Sequence, residues 1–148
     1  MPYQKILAGV DGSETALAAL SHAADLAKAQ GSELLILCAY RPPDPRTVDS
    51  WKNEAPGDFQ WRITEHAVAD SVLEKALQAV AGVEVNARTR SEVGDPAEVI
   101  VEVAKEEGVD LIVVGNRGMS SSKRFVLGSV PNNISHHAPC DLLIADTT

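Results

Sequence analysis

Residues 110–130 read Asp110-Leu-Ile-Val-Val-Gly115-Asn-Arg-Gly118-Met-Ser-Ser-Ser-Lys-Arg-Phe-Val-Leu-Gly128-Ser129-Val130. An unbroken apolar run, Leu111 to Val114, leads into a polar segment punctuated by glycines, and a helix-like stretch from Val130 to Ala138 follows. Hydrophobicity without alternation marks a strand covered on both faces, as in a parallel sheet clothed by helices. Glycines permit positive φ and let a ligand approach the backbone closely. A Gly-Ser pair opening a helix presents N–H groups and a hydroxyl at the positive end of the helix dipole, a setting suited to phosphate. Arg117, Lys123 and Arg124 add positive charge to the same segment. The bland alternative is a plain strand-to-helix connector in which Ser129 is an ordinary N-cap.

Working outward, the same strand-then-helix grammar repeats. Lys5 to Val10 is a second continuous apolar run, closed by Asp11-Gly12-Ser13, and Ser13 is placed to cap a helix. From Glu14 to Gln30, Leu17, Leu20, Ala24 and Ala27 recur on one face, with Glu14, Ser21, Asp25 and Lys28 opposite, and Gly31 stops the helix. Leu34 to Tyr40 is another continuous apolar strand, the second in chain order. Arg41 to Gln60 then breaks all periodicity with Pro42, Pro43, Pro45 and Pro56. It holds Trp51 and Phe59 and runs up to Trp61. Segments of this length are uncommon in compact domains, and the two readings are a packed hydrophobic flap and a ligand lid. Arg62 to Ala81 returns to helix spacing through Ala69, Val72, Leu73, Ala76, Leu77 and Val80.

Val83 to Arg88 alternates apolar and polar residues, so it reads as a half-exposed strand at a sheet edge. Asp95-Pro96-Ala97-Glu98 is a complete helix start, with an N-cap acid, proline at the first position and glutamate three residues on. Ala97, Ile100, Val101 and Ala104 form that helix's core face and Gly108 ends it. Pro139 ends the last helix, and Leu142 to Ala145 is a fifth strand. The alternation β-α-β-α-β-α-β-α-β specifies an α/β fold, a doubly wound five-stranded parallel sheet with helices on both faces. With the third strand at an edge, the strand order is 3-2-1-4-5. The switch point then lies between strands one and four, and ligands bind outside their carboxyl ends.

Composition bounds the function. The 148 residues suit one domain spanning the chain, and 45% hydrophobic with 23% charged residues is an ordinary globular balance. A formal net charge of −8 argues against a nucleic-acid partner, which needs clustered Lys and Arg. No apolar run is long enough to span a bilayer, so no membrane partner is expected. Met1-Pro2-Tyr3-Gln4-Lys5 lacks a signal-peptide pattern, so a cytoplasmic protein is expected. Cys38 and Cys140 are expected as thiols. His136 and His137 stand near Cys140 without the further ligands of a metal site, and His137 shares the apolar spacing of Val130 and Ile134. No Walker loop, dinucleotide Gly-x-Gly-x-x-Gly or nucleophile elbow is present, and strands three and five do not end in the acid and lysine of a phosphoacceptor receiver.

Gly115-x2-Gly118-x9-Gly128-Ser129, standing after a strand, resembles the nucleotide-binding signature of the universal stress protein family, and Lys5 to Thr148 can be laid onto that family's pattern. The resemblance implies an adenine-nucleotide-binding sensor of stress adaptation, taking ATP or cyclic AMP at the carboxyl ends of strands one and four. It implies that Asp11 lies near adenine or ribose, that the backbone of Ala39 and Tyr40 borders adenine, and that Gly115 lies by the ribose. Gly118, Gly128, Ser129 and Val130 match its phosphate cradle, with Arg117 between the first two glycines. Asp11 is the acid available to a Mg2+ ion, although a lone acid there is more often a turn former. No catalytic residues are expected, so the chain reads as a binding protein and not an enzyme. The alternatives are a slow ATPase or phosphotransferase using the same pocket, or a dimeric interaction module with a vestigial one. The apolar Leu142-Leu143-Ile144 edge, together with the resemblance, implies a homodimer through the last strand.

Overall fold

The computed structural model describes residues 2–40, 57–116 and 128–147. Strands β1 (Lys5–Val10), β2 (Glu33–Tyr40), β3 (Asn86–Val93), β4 (Leu111–Gly115) and β5 (Asp141–Ala145) form one parallel sheet in the order β3-β2-β1-β4-β5. Among the described residues the helices are α1 (Glu14–Gln30), α2 (Gly57–Ala79), α3 (Pro96–Glu107) and α4 (Ser129–His137).

The continuous apolar strands are buried twice over. Ile6, Ala8 and Val10 point into one core with Leu34, Ile36, Leu111 and Val113, beneath Leu20 and Ala24 of α1 and Leu73 and Ala76 of α2. The intervening Leu7 joins Leu35, Leu37, Ile112 and Val114 in a second core under Ile100 and Ala104 of α3 and Ile134 of α4. Strand periodicity is thus present in β1, β2 and β4 but invisible in the sequence, since both faces want apolar residues. The helix starts form as their sequences ask. Ser13 Oγ accepts the Ala16 N–H at 3.1 Å, Asp95 accepts that of Glu98 at 3.4 Å, and Gly31 and Gly108 close α1 and α3 at φ 70 and 68.

At the amino ends of the strands, Asp110 fixes the two central ones against each other. Its carboxylate accepts the Gln4 N–H at 2.8 Å and the Lys5 N–H at 2.9 Å, and its own N–H donates to the Lys5 carbonyl at 3.1 Å.

Two boundaries differ from expectation. The third strand occupies Asn86–Val93 and not Val83 to Arg88. Val83, Val85 and Ala87 do pack inward against the first core. However, β2 begins at Glu33, opposite Asn86, so hydrogen-bonded pairing starts only there and runs on to Tyr40 opposite Val93. Charged residues are admitted to this strand because they are paired. Arg88 Nε bonds Glu33 at 2.6 Å and its guanidinium also reaches Glu107, while Arg90 bonds Glu92 at 2.8 Å, Glu107 at 2.9 Å and Glu106 at 3.0 Å. The second difference is α2, which starts at Gly57 and not Arg62, taking Gly57 to Gln60 out of the expected flap. Residues 41–56 of that flap, with Trp51, lie outside the described residues, as do the Phe59 and Trp61 side chains.

Hydrogen bonds from Arg88 and then Arg90 hold the Glu107 carboxyl below its ordinary range, against a smaller opposing effect of burial. A depressed carboxylate contributes stability that is complete above its unfolded value, about 4.3, and is lost as pH falls through the lower folded value. Glu107→Gln is therefore expected to flatten the fall in melting temperature below about pH 4.3. Melting curves of both proteins across that window check this, and parallel curves contradict it.

Candidate functional site

β1 and β4 are neighbours whose following connections leave toward opposite edges of the sheet, so a crevice opens at their carboxyl ends. A cleft of about 570 Å³, partly open to solvent, occupies it. Among the described residues its floor is Gly9, Val10 and Asp11 of β1 and its turn, with Val114 and Gly115 of β4. Leu37 and Ala39 of β2 and Ala16 of α1 line it further, α3 contributes Pro96 and Ile100, and α4 contributes Val130 and Pro131.

Each wall has a local cause. Gly9 follows Leu7 by two and faces the α3 side, where a Cβ would stand 2.9 Å from Ile100 Cδ1, so helix and strand approach at that point because no side chain intervenes. Asp11 is exposed, and its Oδ1 accepts from the Ser13 N–H at 2.9 Å and the Ser13 hydroxyl at 2.5 Å, an Asx turn around Gly12 at φ 89. The carboxylate is therefore a turn former, held at the cleft mouth by the residue that caps α1. Ala39 lines the cleft, whereas the side chain of Tyr40 packs in the other layer by strand alternation. The Tyr40 ring lies 5.9 Å from that of His66, edge-on, and its carbonyl accepts the Gly94 N–H at 2.8 Å. Beneath it the Cys38 thiol is buried, and burial first, then the charges of Asp11 and Asp70, push its pKa to about 11, so it remains a thiol at neutral pH.

The start of α4 also departs from expectation. Gly128, not Ser129, is its N-cap, at φ −60 and ψ 162, and no side chain caps it. Gly128 donates its N–H to the Asn116 carbonyl at 2.9 Å, and the Asn132 N–H turns back to the Gly128 carbonyl at 3.1 Å. Pro131 has no N–H. That leaves the N–H groups of Ser129 and Val130, which have no partner within a helix at these positions, beside the cleft that Val130 and Pro131 line. Ser129 is exposed. His137, expected in the core, is exposed too; only Pro131 and Ile134 of α4 are buried, because a helix this short buries one narrow stripe.

The structure thus brings Asp11, Ala39, Gly115 and Val130 around one cleft, with Gly128 and Ser129 adjoining it in the chain. Arg117, Gly118, Lys123 and Arg124 lie outside the described residues. Sequence reasoning did not single out Gly9, Leu37, Ile100 or Asn116. A glycine inside an apolar strand was a usable signal for the first. The others become visible only once strands and helix are assembled.

A family profile described as the Universal stress protein family matches residues 2–146. A universal stress protein of Mycobacterium tuberculosis is 37% identical over 150 residues, covering 99% of this chain and 98% of that protein. Among solved structures, universal stress protein UspA from Lactobacillus plantarum superposes with a TM-score of 0.82 at 27% identity, covering 97% of this chain and 98% of the other. A universal stress protein in complex with cAMP superposes with a TM-score of 0.73 at 30% identity, covering all of both chains.

Gly94 joins β3 to the wall formed by α3, and its φ of 143 puts a Cβ 2.8 Å from Val99 Cγ2. Gly94→Ala is expected to lower stability by more than about 1 kcal/mol, because backbone strain and a clash act together. Adding Val99→Ala is expected to leave the strain in place and recover no stability beyond the clash. Denaturant midpoints of the two variants check this; a Gly94→Ala midpoint equal to wild type contradicts it.

Proposed function

The chain belongs to the universal stress protein family, and on that premise we propose that its cleft binds an adenine nucleotide, ATP or cyclic AMP, as a sensor module of stress adaptation. The observation that carries this is the meeting of apolar walls with an uncapped helix start. Leu37, Ala39, Ile100 and Val114 offer a dry surface for a purine. Ser129 and Val130 offer N–H groups at the positive end of α4, where a phosphate would sit. Asp11, fixed at the mouth by Ser13, is suited to accept from a ribose hydroxyl. Its Oδ1 is already engaged, so toward a Mg2+ ion accompanying a polyphosphate it would supply the remaining oxygen. Gly115 would lie by the ribose and Ala39, rather than the Tyr40 side chain, would border adenine; Arg117 and Gly118 join the cradle on the family signature alone. The universal stress protein solved with cAMP, 30% identical over the whole chain, supports a ligand of this class. The role assigned is binding, not turnover.

Titration calorimetry with ATP and with cyclic AMP tests the reading, and saturable binding of at least one is expected. The Ser129 hydroxyl would join the Ser129 and Val130 N–H groups on the phosphate. A hydrogen bond to a charged group is worth about 1.5–3 kcal/mol, so Ser129→Ala, which removes the hydroxyl and keeps the N–H, should weaken ATP by about ten- to a hundredfold. Because Ser129 is exposed and is not the N-cap, the melting temperature should stay near that of wild type. Undiminished affinity in Ser129→Ala, or no heat with either ligand, removes the phosphate assignment.

The second part of the proposal is a homodimer through β5. Among the described residues that strand pairs only with β4, and Leu143 is 37% exposed beside half-buried Leu142 and Ile144. An apolar, unblunted edge favours pairing with a second copy. Light scattering should give a dimer mass at tens of micromolar protein and a shift toward monomer in Leu143→Lys; a wild-type monomer there overturns it.

A further inference from the structure

Asn116 stands between Gly115, which lines the cleft, and residues 117–127, and it is bonded through both its backbone and its side chain. Its N–H donates to the Ala145 carbonyl at 3.0 Å and its carbonyl accepts from Gly128 at 2.9 Å, so it continues the β4–β5 ladder and holds the start of α4. Its side chain reaches past β5. Oδ1 accepts from the Thr147 N–H at 3.2 Å and the Thr147 hydroxyl at 2.8 Å, and Nδ2 faces Asp146 Oδ1 at 3.4 Å. The side-chain bonds fix the orientation of the peptide whose carbonyl receives Gly128. Gly128 in turn sets the direction in which the Ser129 and Val130 N–H groups point. An asparagine suits this place because it is acceptor and donor at once, with its donor toward a carboxylate.

We propose that Asn116 is a positioning residue through which the chain beyond β5, Thr147 above all, sets the affinity of the nucleotide cleft. This rests on the nucleotide reading above. Thr147 is not among the described residues that line the cleft, and its contacts toward the site are the two hydrogen bonds it donates to the Asn116 amide oxygen, the route proposed for its effect. The coupling is reciprocal: a ligand that orders the start of α4 must slow the opening of the Thr147 amide.

Two variants test it, each with a readout independent of ligand. Thr147→Val removes the hydroxyl donor and keeps the shape. Asn116→Asp keeps the acceptor for Thr147 but sets a carboxylate against Asp146. Amide hydrogen exchange at Gly128 in ligand-free protein should be faster in both. Loss of one neutral hydrogen bond should weaken ATP or cyclic AMP by about two- to tenfold in Thr147→Val, with the global melting temperature little changed. Asp146→Asn should recover affinity in the Asn116→Asp background by restoring a donor–acceptor pair. Unchanged exchange and affinity overturn the proposal; faster exchange with unchanged affinity also overturns it, leaving Asn116 a shape-holder. Wild-type protein that binds neither ligand overturns the nucleotide reading itself. In that event Gly128 exchange alone decides whether Thr147 reaches the start of α4 through Asn116.

Discussion

The register between β1 and β4 is the constraint from which the site follows. These strands are far apart in sequence, and their pairing, Ile6 with Leu111 through Ala8 with Val113, brings the Val10-Asp11 turn level with Gly115. Hydrophobic burial alone does not fix that register, because both strands are apolar on both faces and a slip would still bury apolar side chains. Asp110 removes the ambiguity: one carboxylate accepting two consecutive N–H groups, from Gln4 and Lys5, tolerates one alignment. The chemistry at the carboxyl ends is therefore set by a polar contact at the amino ends, a full strand length away.

How much of this could be read beforehand depended on whether the information was local. α1 and α3 were legible to the residue, because Ser13 and Asp95 cap by contacts three residues away and Gly31 and Gly108 end helices by their own φ. β3 was not, because its extent is set by where β2 begins, not by its own alternation; the alternating Val83 and Val85 lie before the first paired residue. In the site, Asp11, Ala39, Gly115 and Val130 were legible from a spaced signature and its family resemblance. Asn116 was not, because its partners are spread over Gly128, Ala145, Asp146 and Thr147 and no window of sequence contains them.

The two sheet edges show how an acidic chain distributes its few cations. Arg88 and Arg90 on β3 are held by Glu33, Glu92, Glu106 and Glu107, so that edge presents paired charges, the usual means of discouraging strand addition. Exposed pairs of this kind contribute little stability singly. Their consequence is selectivity between edges, since β5 carries no such pairing within the described residues beyond the Tyr3 hydroxyl on Asp141 at its first residue.

The strongest internal argument for a ligand at α4 is a comparison among the helices of this one chain. α1 and α3 begin with Ser13 and Asp95, each supplying a side-chain oxygen to a first-turn N–H. α4 begins with Gly128, which has none to supply. A helix that only connected β4 to β5 would gain roughly a few tenths of a kcal/mol from exchanging that glycine for a cap of the kind used twice elsewhere. At this end the protein instead ties the Gly128 N–H to Asn116 and has proline, without an N–H, at position 131. Its first-turn donors are thereby reduced to Ser129 and Val130, beside a cleft whose other described walls are apolar apart from Asp11. Two first-turn N–H groups left without a side-chain cap beside the cleft are the kind of helix start that favours an oxyanion.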